Sequence, residues 1–386
     1  RYAYLGVASA WELGSSLVCD LGGGSLQLVA TQAGRLKHSE SLPLGALRLD
    51  RRYLEHDPPR EAELEELRGT VREHLAETLK RFGGGPYRVI GLGGTVRALA
   101  RASIEMRDYP LPRVHGYVLR DRDVEALADL LGGMPSSRRR AIPGIGADRA
   151  DVVLAGLVVV EELLRAARAG ALTVSGTGIR EGVALEAIGA ELPAPAEELA
   201  LRSVSGLAET IGLDLEHGHR VEEIAVRLYE LLRGRGGPDP SELKALRVAA
   251  WMHDAGIAVD LWRHPRHSAY LVRNVPIAGL DSREVLLASL TIRDTEAESL
   301  TAFRGKERLS LLSGADRSAA RKLGAILQVA EWLQAARPRF SLGDGGKTLN
   351  VELDPARAAL LSPRATEKAR RPLQREFGRE VRFLGD

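Results

Sequence analysis

Three times in its first half the chain runs a strand-like apolar segment into a cluster of glycines: "LVCDLGGGS" at 17–25, "VIGLGGT" at 89–95 and "LTVSGTG" at 172–178. Consecutive glycines can turn several backbone N–H groups toward one point, because no Cβ blocks the left-handed conformation or the approach of a ligand. In the second and third cases a helical pattern follows at once, "TVRALARA" and "IREGVALEAIG". Those loops therefore open helices, whose first N–H groups lack intrahelical partners and attract anions. Between the loops, strand runs at 17–20, 26–31 and 36–42 read as a β-meander. Apolar residues at three and four spacing from Leu64 through Leu79 read as a helix, "YRVIGL" as a strand, and Asp148 to Arg168 as a long apolar helix. Strands alternating with helices predict an α/β domain.

In the first loop, Gly22, Gly23 and Gly24 make the anion cradle, Ser25 adds a hydroxyl, and Asp20 at the strand end is placed to hold a divalent cation. Taken alone, a bulged hairpin with a capping Asp explains the same residues. Gly93, Gly94 and Thr95 at the head of the next helix, and a third loop at 175–182, turn the balance toward a phosphorylated ligand.

Composition narrows the partners. With 54 basic and 52 acidic residues the net charge is +2, so no overall field recruits nucleic acid or an anionic membrane. Only seven of the basic residues are lysines, an arginine excess that codon bias also produces. Cys19 is the single cysteine, which rules out an intrachain disulfide and points to a reducing compartment, the cytoplasm. No apolar run reaches the roughly 18 residues of a membrane span. Residue 1 is Arg and the chain opens inside an apolar helix-like run, which predicts residues upstream of it. "GAELPAPAEE" at 189–198 reads as a linker. Residues 199–336 then read as helix after helix, broken at "RGRGGPDP" and "RHPRH", and the tail as strand, helix and strand. The expected domains are 1–190, 199–336 and 337–386.

"DLGGGS", "GLGGTVRALA", "IPGIGADRADVVLAGLVVVEELL" and "SGTGIREGVALE", in that order, resemble the Ppx/GppA family of exopolyphosphatases and guanosine pentaphosphate phosphohydrolases. "AAWMHDAGI", "HPRHSAYLVRN" and "GLDSRE" continue the resemblance into the helical half. It implies an actin-like, sugar-kinase-type subdomain, then an all-α HD-like domain and a small α/β appendix. It also implies metal-assisted hydrolysis, with Mg2+, of a terminal phosphoanhydride of polyphosphate or of guanosine penta- or tetraphosphate. By the same resemblance Asp20 is the metal-linked acid, Gly22 to Ser25 and Gly93 to Thr95 bind phosphate, and Arg149 meets the phosphate chain. A helix-start ion pair is the plainer role for Arg149. A homodimer is expected by family analogy alone.

Three departures qualify the carry-over. The family's first phosphate loop and its glutamate base would lie before Arg1, so this stretch by itself is expected to hydrolyse weakly or not at all. Gln27 stands where the family has a glutamate; it can hold a water but brings no charge to a cation, which leaves open a non-catalytic sensor of alarmone or polyphosphate. An ATPase of the same fold is the third alternative. In the helical half, His217, His253 and Asp254 fall where an HD domain keeps metal ligands, but Glu331 replaces its last Asp and Asp294 its His-Arg. A His-Asp pair with neighbouring His264 and His267 could bind a cation, although histidines borne on helices are more often packed or capping.

Overall fold

The computed structural model describes residues 1–192, 194–233, 237–293, 311–361 and 364–384, in two compact units, Arg1–Ala196 and Glu197–Asp386. The first is built on a six-stranded mixed sheet. Its strands are β1 (Ser16–Leu21), β2 (Leu26–Gln32), β3 (Arg35–Leu42), β4 (Arg88–Leu92), β5 (Val118–Arg120) and β6 (Ala171–Val174), in the order β3-β2-β1-β4-β6-β5. The meander β1-β2-β3 is antiparallel, β1, β4 and β6 run parallel as neighbours, and β5 closes the edge antiparallel to β6.

Alternation along β1 divides its side chains. Leu17, Cys19 and Leu21 enter the core with Leu67, Val71 and Leu75 of the helix Glu61–Arg81 and with Val153 and Leu157 of the helix Val153–Ala167, while Val18 and Asp20 take the other face. Burial, with the Asp20 charge adding to it, pushes the Cys19 thiol up to about 12. The helices Tyr2–Ala8 and Ile179–Ala187 cross at glycine: a Cβ on Gly182 would lie 2.0 Å from the Tyr2 carbonyl oxygen, and one on Gly6 1.9 Å from that of Gly178.

The long apolar helix starts at Val153, not Asp148, because 148–152 form turns in which Arg149 and Ala150 N–H both donate to the Gly146 carbonyl. β5 was not foreseen, since three residues carry no legible period.

The second unit contains the helices Ala196–Thr210, Leu215–Arg233, Pro240–Met252, His264–Asn274, Ser282–Arg293 and Gly314–Leu333. "RHPRH" is where a helix begins rather than an interruption, with Pro265 at a first-turn position whose N–H has no intrahelical role. The tail holds a three-stranded sheet, β7 (Arg339–Gly343), β8 (Thr348–Glu352) and β9 (Glu380–Leu384). The helix Ala365–Phe377 supplies the crossover that the parallel pair β8-β9 needs. β7 was missed by the strand, helix, strand reading. Asp294 lies outside the described residues. Among the described residues no helix is long and apolar enough to cross a membrane.

Candidate active site

Because β1, β4 and β6 are parallel neighbours, the segments that leave their carboxyl ends emerge along one edge of the sheet, where α/β sheets bind ligands. All three glycine clusters are those segments. Asp20 pairs in register with Leu92, and Ser175 N–H donates to the Gly91 carbonyl at 2.8 Å.

The first loop does not use the left-handed conformation: none of Gly22, Gly23 and Gly24 is among the positive-φ glycines. Nor does packing demand glycine there. A Cβ on Gly22 would meet its nearest atom at 3.5 Å, one on Gly23 at 3.6 Å, and one on Gly24 nothing within 4 Å. The loop rests instead on Gly45, where a Cβ would fall 2.2 Å from Ser25 N, and its Gly22 and Gly23 carbonyls accept from Ala46 and Arg48 N–H at 3.0 Å. With the carbonyls turned inward, the N–H groups of Gly23, Gly24 and Ser25 make no hydrogen bond among the described residues. The loop therefore leaves open space at 22–24 beside its free N–H groups.

Asp20 and Gln27 are directly opposed in the antiparallel register, so their side chains share one face of the sheet. Gln27 is exposed and Asp20 half-buried. Asp20 has no hydrogen bond or ion pair among the described residues; burial raises its carboxyl above the usual carboxylate range, and the Arg97 charge opposes that rise. Gly93, at φ +102, is the residue that lets the second loop pass: a Cβ there would lie 2.4 Å from the Leu21 carbonyl oxygen and 3.0 Å from Asp20 Oδ1. Asp20, half-buried and without a partner among the described residues, is a side chain able to take a hard divalent cation.

The second loop opens the helix Gly94–Met106, with its first-turn N–H groups at the sheet edge. Thr95 is 1% exposed and its methyl group packs at the Gly156 position, which turns its side chain into the interior rather than toward the loop. Arg149 precedes the helix start at Val153. It pairs with Asp148 at 3.2 Å, and its guanidinium lies against Gly94, where a Cβ would come within 2.8 Å of Nη2.

The third loop departs from the expectation of a repeated cradle. Its N–H groups are largely engaged within the chain: Ser175 as above, Gly176 with His115 Nδ1 at 3.0 Å, and Gly178 with the Glu181 carboxylate at 2.7 Å. His115 is buried and stacked on Trp11, and burial brings its imidazole down to about 4, so it stays a neutral acceptor. What the loop delivers is cationic. Arg97 Nη1 donates to the Gly176 carbonyl at 3.3 Å, and Arg180 follows the loop. Arg97, Arg101, Arg149 and Arg180, with Gly94 and Asp148, line a cavity of about 410 Å³.

Arg97, Arg101 and Arg180 were missed in the sequence. Their signal was present: Arg97 and Arg101 stand four apart, on one face of the helix that follows a glycine loop, and Arg180 is the second residue of the next such helix. In a chain this rich in arginine that signal does not stand out.

Residues 1–191 match the model of the Ppx/GppA phosphatase family, and residues 200–343 match that of Ppx/GppA phosphatase, domain III. Over 360 residues the chain is 25% identical to the guanosine-5'-triphosphate,3'-diphosphate pyrophosphatase of Vibrio vulnificus, covering 91% of this chain and 69% of that protein. Over 187 residues it is 35% identical to exopolyphosphatase 2 of Mycobacterium tuberculosis, covering 46% of this chain and 58% of that one. Among solved structures, the Aquifex aeolicus family member aligns at 31% identity and a TM-score of 0.45, over 49% of this chain and 61% of that one. The chain thus spans about two thirds or less of these relatives.

Proposed function

From the fact that the chain belongs to the Ppx/GppA phosphatase family, we propose that it serves the metal-assisted hydrolysis of a terminal phosphoanhydride bond in inorganic polyphosphate or guanosine penta- or tetraphosphate. The observation that carries the reading is the meeting, at the carboxyl ends of three adjacent parallel strands, of free loop N–H groups, an unpartnered carboxylate and a cavity lined by arginines.

In this reading Gly23, Gly24 and Ser25 N–H and the helix start at Gly94–Thr95 bind phosphate oxygens. Arg97, Arg101, Arg149 and Arg180 neutralise the chain of charges and hold it in line. Asp20 holds the cation, which when bound neutralises phosphate charge. Gln27, opposite Asp20, orients a water by hydrogen bonding. The helical unit is read as an HD-like domain with its small appendix, on the boundaries 1–190, 199–336 and 337–386, and the protein as cytoplasmic.

Calorimetry with tripolyphosphate and Mg2+ tests the site: the double substitution Arg97→Ala and Arg149→Ala should weaken binding by more than about tenfold, since a charge-assisted hydrogen bond contributes about 1.5–3 kcal/mol. Unchanged affinity overturns it. A second reading, a non-hydrolytic sensor of the same phosphates, is favoured by one observation, the neutral Gln27 facing Asp20. Tight binding by an intact protein that releases no phosphate from polyphosphate or guanosine pentaphosphate would select it.

A further inference from the structure

Arg97 stands in the first turn of the helix Gly94–Met106 and lines the arginine cavity with a long side chain. Among the described residues that side chain makes a single hydrogen bond, from Nη1 to the Gly176 carbonyl at 3.3 Å. Where the guanidinium stands therefore depends on where that carbonyl points. Gly176 has no Cβ, so its dihedrals are set by the hydrogen bonds around it rather than by its own sterics. Three contacts set them: Ser175 N–H donates to the Gly91 carbonyl at 2.8 Å, Ser175 Oγ to the Thr177 carbonyl at 2.9 Å, and Gly176 N–H to His115 Nδ1 at 3.0 Å. The third comes from 61 positions away in sequence.

The mount of His115 is rigid. Its ring is buried 4.8 Å from that of Trp11 at an interplanar angle of 29°, and the Arg88 guanidinium lies over the Trp11 ring at 5.5 Å. The next residue is tied down as well, since Gly116 N–H donates at 2.9 Å to the carbonyl of Val174, the last residue of β6. A Cβ at position 176 would lie 3.1 Å from His115 Cβ, so glycine is what lets the loop press against the ring. Packing alone would accept a phenyl group at 115; the acceptor is what calls for an imidazole. An imidazole that accepts at Nδ1 is neutral, with its proton on Nε2. Burial, with the Arg113 charge adding to it, keeps the ring in that form. Charged, it would turn an N–H toward the Gly176 N–H and release the turn.

We propose that His115 is a positioning residue of the phosphate site: by anchoring the Gly176 N–H it fixes the carbonyl that holds Arg97 at the cavity. The inference rests on the reading of that cavity as a phosphate site. A histidine that only fills the interior changes stability, whereas one that positions Arg97 changes anion affinity, and does so only while Arg97 is present.

Calorimetry of the full chain with tripolyphosphate and Mg2+ separates the two. His115→Phe keeps a planar ring against Trp11 and removes the acceptor, so it should weaken binding by about fivefold. His115→Asn, whose Oδ1 takes the place of Nδ1, should stay within about twofold of wild type. With Arg97→Ala already present, His115→Phe should weaken binding by less than about twofold more, because the group that it positions is gone. An equal loss with and without Arg97, or no loss in either background, overturns the proposal. A wild-type chain that binds no tripolyphosphate overturns the reading of the site instead. The positioning of Arg97 is then judged in the free protein, as it is if His115→Phe does not fold. Nitrogen NMR should show His115 Nδ1 unprotonated from about pH 8 down to about pH 5, and restricted rotation of the Arg97 guanidinium. A protonated Nδ1 or a freely rotating Arg97 guanidinium overturns it.

Discussion

At the scale of single residues, the glycines of the site separate into two kinds. Gly93 is required by the chain itself, since its φ of +102 and the 2.4 Å approach to the Leu21 carbonyl oxygen exclude a side chain. Gly93→Ala should therefore lower stability by about 2 kcal/mol or more, read as a shift of the denaturation midpoint. Gly24 is not so required. Gly24→Ala should leave stability within about 1 kcal/mol of wild type while weakening tripolyphosphate binding, and equal loss in both measurements would return that loop to a structural role. Asp20 gives a prediction with a sign in pH. Burial makes the folded state hold the Asp20 proton more tightly than the unfolded state does, so this residue's contribution to stability falls as pH rises through its raised pKa. Over the same interval the carboxylate that the proposed cation site requires appears. Asp20→Asn should accordingly melt higher than wild type near neutral pH and lose the Mg2+-dependent part of binding, as melting curves and calorimetry against pH would show. Gln27→Glu should add a charge opposite Asp20 and tighten Mg2+ in titrations, whereas Gln27→Ala should not.

Among elements, the strand–glycine–helix alternation was legible because each part has a local cause: a β-favouring run, a glycine break and a 3.6-residue period. Register was not legible. The turn at 22–25 interrupts the period of two, so only the pairing of Asp20 with Gln27 fixes which face Gln27 takes. The use made of the third loop was hidden for a related reason, since the acceptor that consumes Gly176 N–H is His115, 61 positions away in sequence. β7 escaped because "RFSLG", although polar and apolar residues alternate in it, is a five-residue run too short to stand out beside the long helix before it. Helix crossing supplies the test at this scale. Gly182→Val would put a branched side chain where a Cβ alone lies 2.0 Å from the Tyr2 carbonyl oxygen, forcing apart the helices Tyr2–Ala8 and Ile179–Ala187. A loss of about 1–3 kcal/mol is expected, together with weaker anion binding, since the displaced helix carries Arg180.

For the whole molecule, a net charge of +2 conceals a division of labour: arginines gather at one cavity of the first unit, and a mixed cluster of histidines and carboxylates marks the second. Since each unit has its own buried interior, residues 1–196 prepared alone should keep the tripolyphosphate site, and an affinity within about threefold of the full chain in calorimetry would confirm that the phosphate site belongs to the first unit. The single cysteine provides a clock for the strand that carries the site. Cys19 is 1% exposed and burial pushes its thiol up to about 12, so alkylating reagents reach it only when β1 leaves the sheet. Its labelling rate then reports how often the central strand opens, one residue from Asp20, and should slow in step with ligand occupancy if tripolyphosphate and Mg2+ hold that strand closed.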